Sequence, residues 1–238
     1  MGDKRRIFGL VMSKIKIIEL LSLNETIAKD FLKEYDYPWE VLNNIETIIL
    51  KLGEKLSEKD YQKTQDKNGN PIWIHNSVIV GNFVTIEGPA IICKDTILRH
   101  CAYIRGNVII GESCVVGNSS EIKNAILFNQ AKAPHFNYIG DSILGFKAHI
   151  GAGVKLSNFK SDGSFVNIKD GEKRVNTGLK KFGAILGDNV EIGCNSVTNP
   201  GTIVGKNSII YPCQSIRGII NQGVIVKDFK SLDIVDKN

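Results

Sequence analysis

The feature of this chain that most constrains its fold is a period of six residues. Nine consecutive hexads begin at Val78, and the third place of every one is apolar. These places are Val80, Ile86, Ile92, Leu98, Ile104, Ile110, Val116, Ile122 and Phe128. An amphipathic helix returns its apolar face at three, four and seven residues, so it does not produce this period. A hexapeptide period predicts a parallel β-helix, in which three hexads close one triangular coil.

Each third-place residue is expected to point inward and to stack about 4.8 Å above the same place in the next coil. Small residues such as Gly81, Gly111 and Gly117 are expected at the corners, where the backbone bends, and this accounts for part of the 23 glycines. The hexads resume at 148–159 and 184–213. We therefore predict a mainly β chain with a β-helix domain over 71–226.

Two stretches interrupt the period. At 132–147 the rhythm slips around Ala133-Pro134-His135. At 160–181 the chain leaves the coil, and Asp162-Gly163 and Asp170-Gly171 are turn signals on either side of 164–169. This pattern predicts an extruded β-hairpin or arm. Long insertions in a solenoid often lie on its binding face.

The segment before the hexads has a different pattern. Apolar residues at helical spacing occur over 21–35 and 39–56, and Pro38 separates the two stretches. We predict that 1–70 forms a helical cap and linker covering one open end of the β-helix, because an uncovered end would expose unpaired strand edges. Residues 227–238 are predicted to be a C-terminal tail.

Composition excludes several classes of protein. With 42% hydrophobic and 23% charged residues, the chain is typical of a soluble globular protein. No apolar run approaches the ~20 residues of a membrane span, and 4–12 is too short in its apolar part to be a secretory signal. The five cysteines form no CxxC pair, so we expect buried reduced thiols and a cytoplasmic location. The net charge of +5 suits an anionic small ligand; no run of basic residues with interleaved aromatics favours nucleic acid.

Three residues are candidates for chemistry on residue type and spacing alone. His135 lies in the irregular stretch and is either a general base, since imidazole titrates near neutral pH, or a packing residue at a corner. Arg105 and Lys123 are 18 residues apart, which is one full coil, so they should stack on the same face. They form either a phosphate site or a solvated charged face. The four histidines show no close metal-ligand spacing, which disfavours a zinc enzyme of the γ-carbonic-anhydrase type.

Several segments carry a more specific resemblance. They are Arg105 to Asn118, Glu121-Ile122-Lys123, KAPHFNYIGDSILG, HIGAG and LSNF. Together they resemble the acetyltransferase domain of the bifunctional UDP-N-acetylglucosamine pyrophosphorylase/glucosamine-1-phosphate N-acetyltransferase family. The spacing matches without gaps from 105 to 158, and the resemblance covers about 73–226. The arm exit at 175–184 looks more like related sugar-1-phosphate nucleotidylyltransferase/acetyltransferases with a longer loop. The resemblance implies that the β-helix is left-handed.

The resemblance also implies roles for individual residues. His135 falls on the general base, and Arg105 and Lys123 fall on sugar-phosphate contacts. Tyr138 and Asn158 fall on positions that orient the sugar. Glu121 matches an acidic position that orients either His135 or the substrate amine.

Other matched positions concern acetyl-CoA or depart from the family pattern. Lys181, Ala152 and Cys194 are expected to contact acetyl-CoA: Lys181 matches a basic residue at the loop exit, and Ala152 matches a backbone contact to the acetyl-CoA end. His149 stands where the family usually has an asparagine that touches substrate. Cys194 and Phe159 replace hydroxyl-bearing residues that contact sugar or CoA, which leaves those contacts open.

The sequence thus predicts an acetyl-CoA-dependent N-acetyltransferase acting on an amino-sugar 1-phosphate, with glucosamine-1-phosphate as the first candidate, in nucleotide-sugar synthesis of the UDP-N-acetylglucosamine type. The transfer needs no metal, and the resemblance implies a homotrimer with sites between neighbouring β-helices. Nothing in the chain resembles the nucleotidylyltransferase domain. The alternative is a non-catalytic hexapeptide-repeat sensor, or a partner subunit of a separate sugar-1-phosphate nucleotidylyltransferase. A third possibility is the same acetyl transfer to a different acceptor, such as galactosamine-1-phosphate or another amine.

Overall fold

The computed structural model describes residues 15–170 and 173–227. The strands from Pro71–His75 to Ile225–Val226, apart from the arm, wind into a left-handed parallel β-helix of about eight coils. Each coil has three short strands, and each strand pairs in parallel with the strand one coil away. The predicted mainly β class and the β-helix are confirmed. The domain borders at 70 and 226 stay a prediction.

The strands stack into three faces, which we number in chain order. The first face consists of Pro71–His75, Ala90–Ile92, Val108–Ile110, the second halves of Glu121–Leu127 and Tyr138–Leu144, Ala184–Leu186, Thr202–Val204 and Ile219–Ile220. The second face consists of Ile79–Val80, Ile97–Leu98, Val115–Asn118, Lys132–His135, His149–Ile150, Glu191–Ile192, Ile209–Ile210 and Ile225–Val226. The third face consists of Thr85–Glu87, Tyr103–Arg105, the first halves of Glu121–Leu127 and Tyr138–Leu144, Lys155–Leu156, Val197–Thr198 and Ser215–Ile216.

Stacked aliphatic side chains fill the interior of the coil, as the hexads predict. Ile104, Ile122 and Ile139 lie in register on the third face and are fully buried. Gly117 shows why a corner requires a small residue, because a Cβ there would overlap the backbone of Pro134. Most corner residues with left-handed backbone angles are nevertheless not glycine; Asn107, Asn189 and Asn195 are examples. Asn tolerates this region better than most residues do.

One residue is missing from the repeat at the turn that contains Asn124. Ile122 pairs with Ile104 at an interval of 18, whereas Ala125 pairs with Val108 at an interval of 17. The shift exchanges inside and outside: Leu127 joins the interior, and Phe128 packs outside it. The prediction that Phe128 points inward is wrong, because the period changes before the slip that the sequence shows at 132–147.

From residue 15 on, the N-terminal segment contains three short α-helices, α1 (Ile17–Leu20), α2 (Lys29–Leu32) and α3 (Ile45–Gly53), and two 3₁₀ turns, Leu23–Glu25 and Pro38–Asn44. The helical spacing over 21–35 corresponds only to the 3₁₀ turn Leu23–Glu25 and the short helix α2. Contacts with the β-helix engage backbone groups of this segment that a longer helix would use. The Ser22 N–H donates to Asp188, and the Glu25 carbonyl accepts from the Asn129 N–H. None of the described helices is long and apolar enough to cross a bilayer.

The described helices lie along the first face. That the whole segment 1–70 acts as a cap for the end of the β-helix stays a prediction. The middle residue of each first-face strand points outward, and most of these residues are isoleucine. They form a second buried cluster with Trp39, Leu42 and Ile45 of the N-terminal segment. An outer row of isoleucines has to be covered, which is why the segment packs there. At the end of the β-helix, Tyr61–Gln65 pairs antiparallel with Pro71–His75.

The arm predicted at about 160–181 is confirmed. Its strands Asn167–Asp170 and Lys173–Asn176 pair antiparallel, and a bridge between Phe159 and Lys181 closes its base. Val166 and Ile168 are buried against the first-face cluster, so the arm folds back onto the coil. Part of the predicted turn at Asp170-Gly171 and nearly all of the predicted tail lie outside the described residues.

The cysteines are free, but only some of them are buried as expected. Cys93 and Cys114 are buried, and burial raises the pKa of the Cys93 thiol to about 12. Cys194 and Cys213 are exposed, because both lie at corners of the coil where side chains point to solvent.

Candidate functional site

Four of the ten candidate residues, Arg105, Glu121, Lys123 and Tyr138, lie in two outward-facing columns of the third face. Residues in a strand alternate sides, so Tyr103, Glu121 and Tyr138 form one column in register. The other column places Arg105 in line with Glu87 above it, and Lys123 in line with Gly140 below it. Since Ile122 pairs with Ile104, Lys123 is the neighbour of Arg105 one coil further on. The stacking expected from the interval of 18 residues is therefore present.

The two cations of this face have different surroundings. Arg105 Nη1 lies 2.5 Å from Glu121 Oε1, and this hydrogen bond raises the pKa of the arginine. Lys123 is half-buried and has no ion-pair partner among the described side chains of residues 15–168 and 174–227. Lys123 is thus the cation that is available to an anionic ligand, whereas the charge of Arg105 is partly neutralised by Glu121.

A buried carboxylate orients Asn158. Asp141 is 5% exposed and accepts hydrogen bonds from Asn158 Nδ2 at 2.5 Å and from Asn124 Nδ2 at 2.9 Å. Asn124 Nδ2 also lies 3.1 Å from the Leu42 carbonyl oxygen of the N-terminal segment. Sequence reasoning missed Asp141 and Asn124. The available signals were that Asp141 lies within the matched motif HFNYIGDS and that Asn124 lies at the missing residue.

Tyr138 and Asn158 approach the same glycine. A Cβ on Gly140 would come within 2.6 Å of Asn158 Nδ2 and 2.7 Å of the Tyr138 hydroxyl, so both side chains pack over the bare backbone. Burial is the largest cause of the raised pKa of Tyr138. The phenol is therefore protonated at neutral pH and can donate a hydrogen bond.

His135 lies at the corner between the second and third faces. Its backbone is held on both sides, since its N–H donates to Asn137 Oδ1 at 3.1 Å and its carbonyl accepts from the Gly153 N–H at 3.0 Å. Buried Asn137 is in turn anchored to the Gly151 carbonyl at 2.7 Å. The imidazole is exposed and has no hydrogen-bond partner within the described part of the chain. Glu121, which was expected to orient either His135 or the amine, is bound to Arg105.

Two of the three residues predicted to contact acetyl-CoA, Ala152 and Cys194, lie on the same corner as His135. Ala152 precedes Gly153, whose N–H bonds to His135, and the Ala152 carbonyl accepts from the Asn195 N–H at 2.8 Å. Cys194 precedes Asn195 and is exposed. His135, Ala152 and Cys194 thus stack in three successive coils and form an edge parallel to the axis of the β-helix.

Two other candidate residues lie apart from this group. His149 belongs to the second face, in line with Lys132 and Glu191, and its Nδ1 is 2.7 Å from Glu191 Oε2. Within one chain it does not join the third-face residues. Lys181 is exposed at the base of the arm, opposite Phe159. Its neighbour Phe182 donates its N–H to the Asn158 carbonyl, so Lys181 lies next to the lower end of the third-face group.

This arrangement can bind an anion on the third face and can accept a proton at the exposed imidazole of the adjacent corner. No group of three His, Cys, Asp or Glu side chains in the described residues is placed to hold a metal ion.

Comparison with known proteins gives one family model and many relatives. The model described as the GMPPB C-terminal domain matches residues 86–209. The Bifunctional protein GlmU of Methanococcus maripaludis is 37% identical over 197 residues, which is 82% of this chain and 47% of that protein. A bifunctional sugar-1-phosphate nucleotidylyltransferase/acetyltransferase of Sulfurisphaera tokodaii is 32% identical over 126 residues, covering 53% of this chain and 31% of that protein. This chain spans about half the length, or less, of these curated relatives.

Among solved structures, a mutant of AntD, an N-acyltransferase from Bacillus cereus in complex with dTDP and coenzyme A, matches with a TM-score of 0.29 and 14% identity. The match covers 64% of this chain and 73% of that chain. A TM-score this low carries no argument about the present chain.

Proposed function

Because the chain belongs to the hexapeptide-repeat family described as the GMPPB C-terminal domain, and is an acetyltransferase-type domain of the GlmU kind, we propose that it transfers an acetyl group from acetyl-CoA to the amine of an amino-sugar 1-phosphate. The acceptor we propose is glucosamine-1-phosphate. The observation that carries the proposal is that Lys123, a cation with no ion-pair partner among the described side chains, lies near Tyr138, Asn158 and the exposed imidazole of His135.

In the proposed reaction His135 takes a proton from the 2-amino group while the nitrogen attacks the thioester carbonyl. The nitrogen–carbon bond forms, the carbon–sulfur bond breaks, and the proton passes from the imidazole to the departing CoA thiolate. A backbone N–H at Ala152 stabilises the oxyanion of the tetrahedral intermediate. The reaction needs no covalent acyl-enzyme, so no cysteine has to be a nucleophile.

The third face would hold the acceptor. Lys123 and Arg105 bind the phosphate through charge-assisted hydrogen bonds. Tyr138 and Asn158 bind sugar hydroxyls, and Asp141 keeps the Asn158 amide in one orientation. Glu121 positions Arg105 and lies within the same column as Tyr138, where the substrate amine would approach.

We further propose a homotrimer, in which the third face of one subunit lies against the second face of its neighbour. This arrangement would bring His149 of the partner subunit to the acceptor, as the matched family position requires. Lys181 would close the lower end of the acceptor site. Acetyl-CoA would lie along the edge formed by His135, Ala152 and Cys194.

The test is thiol release from acetyl-CoA with glucosamine-1-phosphate as acceptor. His135→Ala should lower the rate about 10²-fold or more, since general-base catalysis contributes 10²–10⁴-fold. His100→Ala is a matched control, because His100 is an exposed histidine at the corner of an earlier coil and packs against Phe83. Equal activity of both variants would contradict the role of His135.

The second candidate is the non-catalytic sensor or partner subunit of a separate nucleotidylyltransferase. It is favoured by the pairing of Glu121 with Arg105, which leaves the His135 imidazole without an orienting carboxylate. Titration calorimetry with acetyl-CoA separates the two candidates, because a sensor of this kind would bind no acetyl-CoA. A panel of amine acceptors, including galactosamine-1-phosphate, then identifies the substrate.

A further inference from the structure

A cavity of about 780 Å³ opens between the arm and the lower coils of the third face. The third face contributes Ser157, Asn199 and Arg217. These three follow Leu156, Thr198 and Ile216, which pair in register, so they occupy one position in three successive coils. The arm contributes Phe159 and Arg174. The cavity thus exists only because the arm folds back over the coil.

The cavity is separate from the cations of the candidate acetyl-transfer site. Its floor continues the column that contains Lys123 and Gly140, because Tyr138 and Ile139 pair with Lys155 and Leu156. Four coil steps separate Lys123 from Arg217, which is about 19 Å at the ~4.8 Å spacing of paired strands. A ligand bound to Arg217 therefore occupies a different subsite from one bound to Lys123.

The charge of this cavity is positive. Arg174 and Arg217 are exposed, and neither has an ion-pair partner among the side chains that the structure describes, those of residues 15–168 and 174–227. Lys160 also lines the cavity, but its Nζ lies 3.5 Å from Asp162 Oδ2, so this pair contributes little net charge. Two guanidinium groups therefore remain without a partner among the described side chains. Their planar, multiple N–H donors match the oxygens of a phosphate group.

The cavity also has an apolar wall. Phe159 is 50% exposed and lines the same space as Val166 and Gly201. An exposed aromatic ring offers a stacking surface to a nucleobase. The volume falls within the ~300–1,000 Å³ typical of small-molecule sites. A ring and these two guanidinium groups in one cavity are a combination that suits a nucleoside linked to phosphates.

We propose that this cavity binds a nucleotide, with its phosphates between Arg174 and Arg217 and its base against Phe159. The nucleotide has two chemical sources, which are the nucleotide end of coenzyme A and a free nucleoside diphosphate. The first source rests on the proposed acetyl-transfer function, and the second does not.

The experiment is titration calorimetry with adenosine 3′,5′-diphosphate, UDP and inorganic pyrophosphate as probes. Arg217→Ala and Arg174→Ala should each weaken nucleotide binding about 10-fold or more, because each removes charge-assisted hydrogen bonds to phosphate. Arg217→Lys should recover only part of the loss, since an ammonium keeps the charge but not the planar fork. Lys51→Ala, which removes an exposed cation from α3, should bind like the unmodified protein.

Phe159→Leu separates a nucleotide site from a simple anion site. It should weaken binding of both nucleotides and leave pyrophosphate binding unchanged. The proposal is overturned if the unmodified protein binds neither nucleotide, if the arginine variants bind as Lys51→Ala does, or if pyrophosphate binds while the nucleotides do not. If coenzyme A displaces a bound nucleotide, the source is the nucleotide end of coenzyme A. If UDP displaces it and coenzyme A does not, the source is a free nucleoside diphosphate. His135→Ala should retain the binding, so failure of acetyl transfer is distinguishable from failure of this site.

Discussion

At the scale of single residues, the most constrained position of the candidate site is Gly140. Its bare backbone lies against Tyr138 and Asn158, and Asn158 cannot move away freely because Asp141 holds its amide. Gly140→Ala should displace both side chains. We expect kcat/KM for the amine acceptor to fall about 10-fold or more, since small misplacements of positioning groups have effects of this size or larger.

The matched control for this prediction is Gly205→Ala. A Cβ on Gly205 would meet the backbone of Gln222, at the corner between the first and second faces, so the variant strains the coil away from the candidate site. Steady-state kinetics and thermal unfolding should separate the two variants. If Gly140→Ala loses activity only in proportion to its loss of Tm, as Gly205→Ala would, its role is structural.

Thr198 is a second position where a single side-chain atom affects the stability of the fold. It points into the β-helix between Leu156 and Ile216, is fully buried, and its hydroxyl has no hydrogen-bond partner among the described residues. An unsatisfied buried hydroxyl costs about 1–3 kcal/mol. Thr198→Val should therefore raise the free energy of unfolding by about 1 kcal/mol, measured by urea titration. A decrease would show that the hydroxyl has a partner.

At the scale of structural elements, the hairpin of Tyr61–Gln65 and Pro71–His75 depends on one carboxylate. Asp66 accepts hydrogen bonds from the N–H groups of Asn68, Asn70 and Gly88 and from the Asn70 amide. These bonds, with the Asn70 side chain first, lower the pKa of Asp66 from its ordinary 3.8 to about 2. The carboxylate therefore ties the turn of the hairpin to the first coil.

The sign of the pH effect follows from that shift. Between pH 4 and pH 2 the unfolded chain binds the proton before the folded chain does, so this contribution to stability is present above pH 4 and is lost as the pH falls through 2. Asp66→Asn should flatten the dependence of the urea midpoint on pH between pH 4 and pH 2. The slope of the midpoint against pH should be the same in both proteins at pH 5–7. An identical slope in both proteins would contradict the assignment.

The elements also show how a solenoid tolerates an irregularity. The loss of one residue at Asn124 moves Phe128 out of the interior and into the first-face cluster. The same turn brings Asn124 to Asp141 and to the Leu42 carbonyl. The irregular coil thus links the N-terminal segment to the candidate site.

At the scale of the whole molecule, the N-terminal segment is fastened to the coils by a buried carboxylate. Asp188 accepts hydrogen bonds from the Ser22 N–H at 2.9 Å and the Ser22 hydroxyl at 2.6 Å, and from the Phe146 N–H at 2.9 Å. Lys206 Nζ lies 3.0 Å away. Asp188→Ala would leave these donors unpaired, and we expect the free energy of unfolding to fall by about 3 kcal/mol, as for other broken buried pairs.

Asp36→Ala is the matched control, because Asp36 also pairs with a lysine, Lys16, but its side chain is 71% exposed. Exposed pairs of this kind contribute about 0–1 kcal/mol. Urea titration should therefore place the control close to the unmodified protein. Similar losses in the two variants would mean that Asp188 does not fasten the N-terminal segment.

Much of the architecture could be predicted from the sequence because the hexads report a local requirement. An inward aliphatic residue is needed in every strand of every coil, so Ile104, Ile122 and their equivalents repeat at a fixed interval. The arm was predictable for the opposite reason, since the aliphatic residues of 160–181 do not recur at that interval. The packing of 21–35 was not predictable, because contacts with Asp188 and Asn129 override its helical spacing.

The sequence by itself determined the β-helix, the position of the arm and the interval that stacks Lys123 on Arg105, because each follows from spacing along the chain. Only the tertiary structure showed that Glu121 binds Arg105, that Asp141 orients Asn158, that His149 lies on another face and that the arm encloses a cationic cavity. These features join residues from different coils or place them around a corner. Their geometry depends on the missing residue at Asn124 and on the folding back of the arm, which spacing alone does not specify.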